Sequence, residues 1–160
     1  MGLHERHDAG MATVEKVFAF LREQNWSFTT TEENPLTLRV PYQGDSGEWS
    51  LYIRFFPDEE ALVFYSVFPV DAPSERRQDM LTLITQINIK LLYGNFQMHL
   101  DDGEILFRTS IPLRGHELSP QLIKNAALSN VQTMNLCLRG MMLALYEKCS
   151  LEDALLLMEV

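Results

Sequence analysis

No stretch of the chain holds the ~20 consecutive apolar residues that a helix needs to cross a bilayer, so no spanning segment is expected. No basic run followed by an apolar one opens the sequence, and no signal peptide is expected either. Basic residues are scarce: 13 Lys and Arg stand against 22 Asp and Glu, for a net charge of −9. That balance argues against nucleic acid and against anionic membrane surfaces as partners. Arg76-Arg77 is the densest basic pair. Cysteine is nearly absent, and Cys137 and Cys149 lie in one predicted helical region. Their spacing along a helix, roughly 18 Å, is far beyond the reach of a disulfide. Reduced core thiols in a cytoplasmic protein are expected.

Motifs of chemistry are equally thin. Gly44, Gly47, Gly94, Gly103, Gly115 and Gly140 are isolated, so no glycine-rich phosphate loop follows a strand. There is no Gly-x-Ser-x-Gly elbow, and neither cysteine has a histidine beside it. In His4-Glu5-Arg6-His7 the histidines are three apart, where the zincin pattern needs four, so no metal site is expected. His99 and His116 read as surface polar residues. Glu32-Glu33, Glu59-Glu60 and Asp101-Asp102 fall at predicted turns, where carboxylates are solvated. General acid–base work needs a carboxyl whose surroundings shift its pKa, and no cleft is indicated around any of these pairs. No catalytic residue, metal or cofactor is expected. Arg139, set among Cys137-Leu138 and Gly140-Met141-Met142, is a candidate ion-pair partner or ligand anchor, or a side chain that snorkels off the helix edge.

What is present is strong patterning in a length that suits one domain: 160 residues, 46% of them hydrophobic. The spacing predicts a flexible lead over 1–10, then a helix over Met11–Asn25 with Val14, Val17, Phe18 and Leu21 on one face. Leu36, Leu38, Val40 and Tyr42 alternate with polar residues as a half-buried strand, and Pro41 puts it at an edge or at its own end. Strands over Glu48–Phe56 and Ala61–Phe68 follow. The second is apolar on both faces, which marks it as central.

Met80, Ile84, Ile87 and Leu91 then recur at helical steps. Phe96 and Met98 alternate, as do Ile105, Phe107, Thr109 and Ile111, around an Asp101–Glu104 hairpin turn. Ser119-Pro120 opens the longest helix, which runs to about Tyr146. Ser150 caps a short apolar one. The fold class predicted is α+β, with a sheet of about five antiparallel strands (meander plus hairpin) and helices packed on it, in the order α-βββ-α-ββ-α-α. The main domain covers 11–147, and an apolar C-terminal helix covers 148–160.

The long helix carries more apolar surface than one stripe. Ile123, Ala127, Met134, Leu138, Met141 and Leu145 form its core face. Ala126, Ser129, Thr133, Cys137, Gly140 and Ala144 form a seam of small residues suited to close packing. Leu128, Leu136 and Leu143 lie on a third face. A second copy or a partner is expected to cover part of this surface; the alternative is that the C-terminal helix folds back over it.

The residues Ile87-Asn88-Ile89-Lys90-Leu91-Leu92, Gly94-Asn95-Phe96-Gln97-Met98, Asp102-Gly103-Glu104-Ile105-Leu106-Phe107-Arg108 and Leu118-Ser119 resemble the YbjN family of bacterial sensory transduction regulators. The order of elements resembles the type III secretion chaperone-like fold. The resemblance implies a cytosolic bacterial protein with no established enzymatic residues. Secretion chaperones are small, acidic and dimeric and bind an extended segment of another protein. The expected function is a non-catalytic protein-interaction or chaperone-like module, working as a homodimer or with another protein. The expected interface residues are Tyr52, Phe56, Phe64, Leu128, Leu136, Gly140 and Leu143. The alternative is a small-ligand sensor with a pocket between sheet and long helix, gated by Arg139.

Overall fold

The computed structural model describes residues 3–31, 34–115 and 117–158. Alternation of apolar and polar residues builds the sheet. Its strands are β1 (Thr29–Thr31), β2 (Asn34–Gly44), β3 (Gly47–Phe56), β4 (Ala61–Val67), β5 (Asn95–Met98) and β6 (Ile105–Pro112). All pairings are antiparallel, in the spatial order β1-β2-β3-β4-β6-β5. β4 is central, as its two apolar faces predict. β1 is an addition to the expected sheet: Thr29–Thr31 is too short and too polar to show an alternation. β1 pairs with β2 at Leu38 and Arg39, and Pro41 lies past that pairing on the free part of the β2 edge.

The helices are α1 (Leu3–Glu23), α2 (Arg77–Lys90), α3 (Pro120–Leu145) and α4 (Leu151–Leu156). α1 starts at Leu3 rather than Met11: residues 3–11 lack an apolar stripe, but they also lack proline, and Gly10 is the only poor helix former among them. The Ser119 hydroxyl accepts from Leu122 N–H with Pro120 in the first turn, and Ser150 accepts from Asp153 N–H. Ser74 caps no helix; it opens a 3-10 turn, Ser74–Arg76, that leads into α2.

α1, α2 and α3 meet the same side of the sheet, and α4 lies across α2 and α3. The core between them contains Leu21, Leu51, Phe64, Phe107, Ile123 and Met141, among others, all buried. Gly103 closes the β5–β6 turn at a positive φ of 85°, and a Cβ there would strike the Ala72 carbonyl. Among the described residues no helix packs on the opposite side of the sheet.

Candidate functional site

Two surfaces stand out among the described residues, and both follow from the strand register. Along β3 the residues Trp49, Leu51, Ile53 and Phe55 point into the core, so Ser50, Tyr52, Arg54 and Phe56 point out. Register carries this alternation across the sheet. Arg39 stands opposite Tyr52, Tyr52 opposite Tyr65, and Tyr65 opposite Arg108. The open face therefore carries a row Arg39-Tyr52-Tyr65-Arg108, with Arg54 in the next row between Thr37 and Val63. The Arg54 guanidinium lies 4.7 Å from the ring centroid of Phe56, and Arg39 Nε donates to Ser50 Oγ at 3.1 Å. A shallow trough of about 1000 Å³ runs over this face.

Phe64 does not belong there. It pairs with Ile53, points toward the helices and is fully buried, which corrects Phe64 as an interface residue. Both faces of β4 are apolar, and composition alone does not tell inside from outside.

The second surface is a groove of about 920 Å³ between α3 and β6. Leu122, Leu128 and Leu136 border it from α3, Ile111 and Pro112 from β6, and Tyr93 from the loop before β5. Tyr93 is 75% exposed, Leu122 43% and Leu136 39%. Beside the groove the sheet edge is incomplete. Ile105 O accepts from Phe68 N–H, and Leu113 N–H donates to Glu60 O, so the odd-numbered backbone groups of β6 face β4. By the two-residue alternation of a ladder, the even-numbered groups face the other edge. β5 pairs there only as far as Arg108. Ser110 N–H and C=O have no strand partner among the described residues.

The other expected interface residues fall elsewhere. Gly140 is buried beneath α4: a Cβ there would lie 2.7 Å from Met158 Cε and 2.8 Å from Ala154 O. The close approach the small-residue seam predicts is thus made by the chain's own C-terminal helix, which corrects Gly140 as a contact for a partner. Leu143 is half-buried on α3 and does not line the groove. Arg139 is exposed and outside the groove, so it does not gate it. His99 is exposed. His116, Glu32 and Glu33 lie outside the described residues, and so do the side chains of His4 and His7.

Two residues that hold these surfaces in place escaped the sequence reading. Asn130, fully buried on α3, fastens the helix to the sheet. Its Nδ2 donates to the Phe64 and Phe107 carbonyls at 3.1 Å each and to Thr109 Oγ1 at 3.2 Å. Trp49 Nε1 donates to Ser66 Oγ at 2.9 Å, and the Ser66 hydroxyl donates to Asn130 Oδ1 at 2.6 Å. The Thr109 hydroxyl donates back to Ala126 O on α3 at 3.0 Å. Arg76 closes the far end of α3. It donates to Ala144 O at 2.7 Å and Leu145 O at 3.3 Å, and pairs with Asp79 and Glu147 at 2.6 and 3.0 Å. A cation there meets the negative end of the helix.

Among the described residues no group of three His, Cys, Asp or Glu side chains is placed to hold a metal ion. No described helix is long and apolar enough to cross a membrane.

A six-stranded antiparallel sheet with the described helices on one side defines an α+β domain. The family model YbjN, described as "Putative bacterial sensory transduction regulator", matches residues 13–134. The chain belongs to the YbjN family. A solved structure described as "YbjN, a putative transcription regulator from E. coli" superposes with a TM-score of 0.57 at 12% identity, covering 84% of this chain and 90% of that one. An uncharacterized protein from Methanothermobacter thermautotrophicus superposes with a TM-score of 0.54 at 16% identity, covering 84% of this chain and 96% of that one. At such identities the likeness is one of fold. No curated protein matches the sequence.

Proposed function

We propose that this protein is a non-catalytic, cytoplasmic protein-interaction module that works as a homodimer, joined through the groove between α3 and the free half of the β6 edge. The observation that carries the reading is the exposure of Leu122, Leu136 and Tyr93 around that groove, next to unpaired backbone groups at Ser110. Two copies meeting edge to edge about a two-fold axis would pair the Ser110 groups with each other and bury the leucines of both. The net charge of −9 supports a protein as partner in preference to nucleic acid or membrane. Sedimentation velocity at micromolar concentration tests it. The dimer is expected for the native chain and a monomer for Leu136→Glu, with the far-ultraviolet circular dichroism of the folded chain retained because Leu136 is already 39% exposed. A native chain that sediments as a strict monomer overturns the reading.

The groove also favours a second reading, a small-ligand sensor, because its volume of about 920 Å³ lies within the range of ligand sites. A metabolite that raises the melting temperature of the native chain and of Leu136→Glu differently would support a ligand in the groove.

A further inference from the structure

We propose that the open sheet face, through the Arg39-Tyr52-Tyr65-Arg108 row, docks a short acidic polypeptide segment whose carboxylates stand about four residues apart. The groove and the homodimer are not needed for this.

The argument begins with charge. The chain carries −9, yet the strand positions that point out of the open face hold Arg39, Arg54 and Arg108 against one carboxylate, Glu48, which stands at the hairpin end opposite Gln43. The described ion pairs of the molecule involve Lys16, Arg76 and Arg114, and none of the three open-face arginines is among them. Three guanidinium groups in the middle of the face, none paired with a carboxylate, complement a short acidic partner, while Glu48, Asp71 and Glu104 stand at its border.

Geometry then sets the kind of partner. Arg39 and Arg108 lie at the two ends of one cross-strand row, three strand spacings apart. At ~4.8 Å per spacing that is roughly 14 Å between backbones. An extended polypeptide advances ~3.4 Å per residue, so about four residues separate the groups that would meet the two arginines. Between them Tyr52 and Tyr65, both half-buried, offer ring faces to the intervening side chains. A segment of the form acidic-x-x-x-acidic with apolar residues between its ends matches this row, and Arg54 lies beside it for a third carboxylate.

A polyanion fits less well. Single-stranded nucleic acid would find tyrosine platforms, but the same trough is bordered by Glu48, Asp71 and Glu104, and the whole molecule repels a phosphate chain. A short acidic segment meets only the arginines.

An array of immobilised twelve-residue peptides tests this, each with two glutamates placed two to six residues apart in a Gly-Leu-Tyr background. Glutamine versions and a twelve-nucleotide single-stranded DNA serve as comparators. Capture of the native chain is expected to peak at a spacing of four and to fall at least tenfold with glutamine in place of glutamate. It is also expected to fall at least tenfold for Arg39→Gln combined with Arg108→Gln. Arg39 is exposed and Arg108 half-exposed, so the melting temperature should hold. Tyr52→Ala provides a second variant that spares the charges, and it should weaken capture without changing its salt dependence. No capture, capture indifferent to spacing, capture unaffected by the arginine pair, or stronger capture by the oligonucleotide overturns the proposal.

Discussion

Asn130 ties four segments together with one side chain. Its amide meets β4 at Phe64 and Ser66 and β6 at Phe107 and Thr109, and through Ser66 it connects to Trp49 on β3. Buried polar groups that lose their partner keep the cost of desolvation. Asn130→Leu, close in volume, should therefore lower stability by about 3 kcal/mol, read as a shift of the urea midpoint with an unchanged slope. Asn130 is also legible in retrospect. It follows Ile123 and Ala127 and precedes Met134 at steps of four, three and four, so an amide sits on the apolar stripe of a helix. Cys137 makes a different residue-scale prediction. Burial alone pushes its thiol up from an ordinary value near 9 to about 12. Between those values the unfolded chain has released a proton that the folded chain still holds. Stability is full below pH 9 and falls as pH rises toward 12, by up to about 1.4 kcal/mol per unit. Chemical denaturation at pH 8 and pH 10 should show this slope in the native chain and not in Cys137→Ala. A thiol reagent at pH 8 should label half-buried Cys149 quickly and Cys137 only on unfolding.

At the scale of elements, the best-read parts of the sequence were those with one wet and one dry face. β3 and β6 alternate because half of each is solvated, and α3 announces its start with Ser119 and Pro120. β1 shows no signal because three threonines have no apolar side to display. The N-terminal turns of α1 went unread because polar residues there hide helical continuity. The bare sheet face and the groove were harder, since each depends on which strands end early. Nothing local to Ser110 reports that β5 stops opposite Arg108. The placement of α4 was half legible: the seam of small residues on α3 asked for a close neighbour without naming it. That neighbour is α4, and Gly140 is the contact that permits it. Gly140→Val would force its side chain into Ala154 O and Met158. The backbone oxygen has nowhere to move while α4 stays docked, so overpacking of about 1–3 kcal/mol should loosen α4 rather than unfold α3. Trypsin reads this out at exposed Lys148, where cleavage should quicken by about tenfold, with the bulk of the far-ultraviolet circular dichroism retained.

For the molecule as a whole, the groove and the open face lie on different sides of the sheet, and Arg108 stands where the two come nearest. The groove is bordered by leucines and lies between α3 and the β6 edge; the open face carries its arginines in the middle of the strands and lies on the other side of the sheet. Arg108 borders the groove and also ends the Arg-Tyr-Tyr-Arg row, whereas Arg39 and Leu136 each belong to one surface alone. Side chains separated by the full sheet and sharing no partner contribute independently. Leu136→Glu should therefore abolish dimerisation in sedimentation and leave the affinity for a soluble acidic peptide within twofold. Arg39→Gln should do the reverse, weakening the peptide while the sedimentation coefficient stays fixed. The double variant should show both losses and no more. Fluorescence anisotropy with a labelled peptide in solution is the measurement to pair with sedimentation, because an immobilised peptide rewards a dimer through avidity and would mix the two effects. If Leu136→Glu alone weakened the soluble peptide tenfold, the acidic segment would have to reach across two copies. The join at Ser110 would then place the Arg108 side chains of both copies in one continuous site.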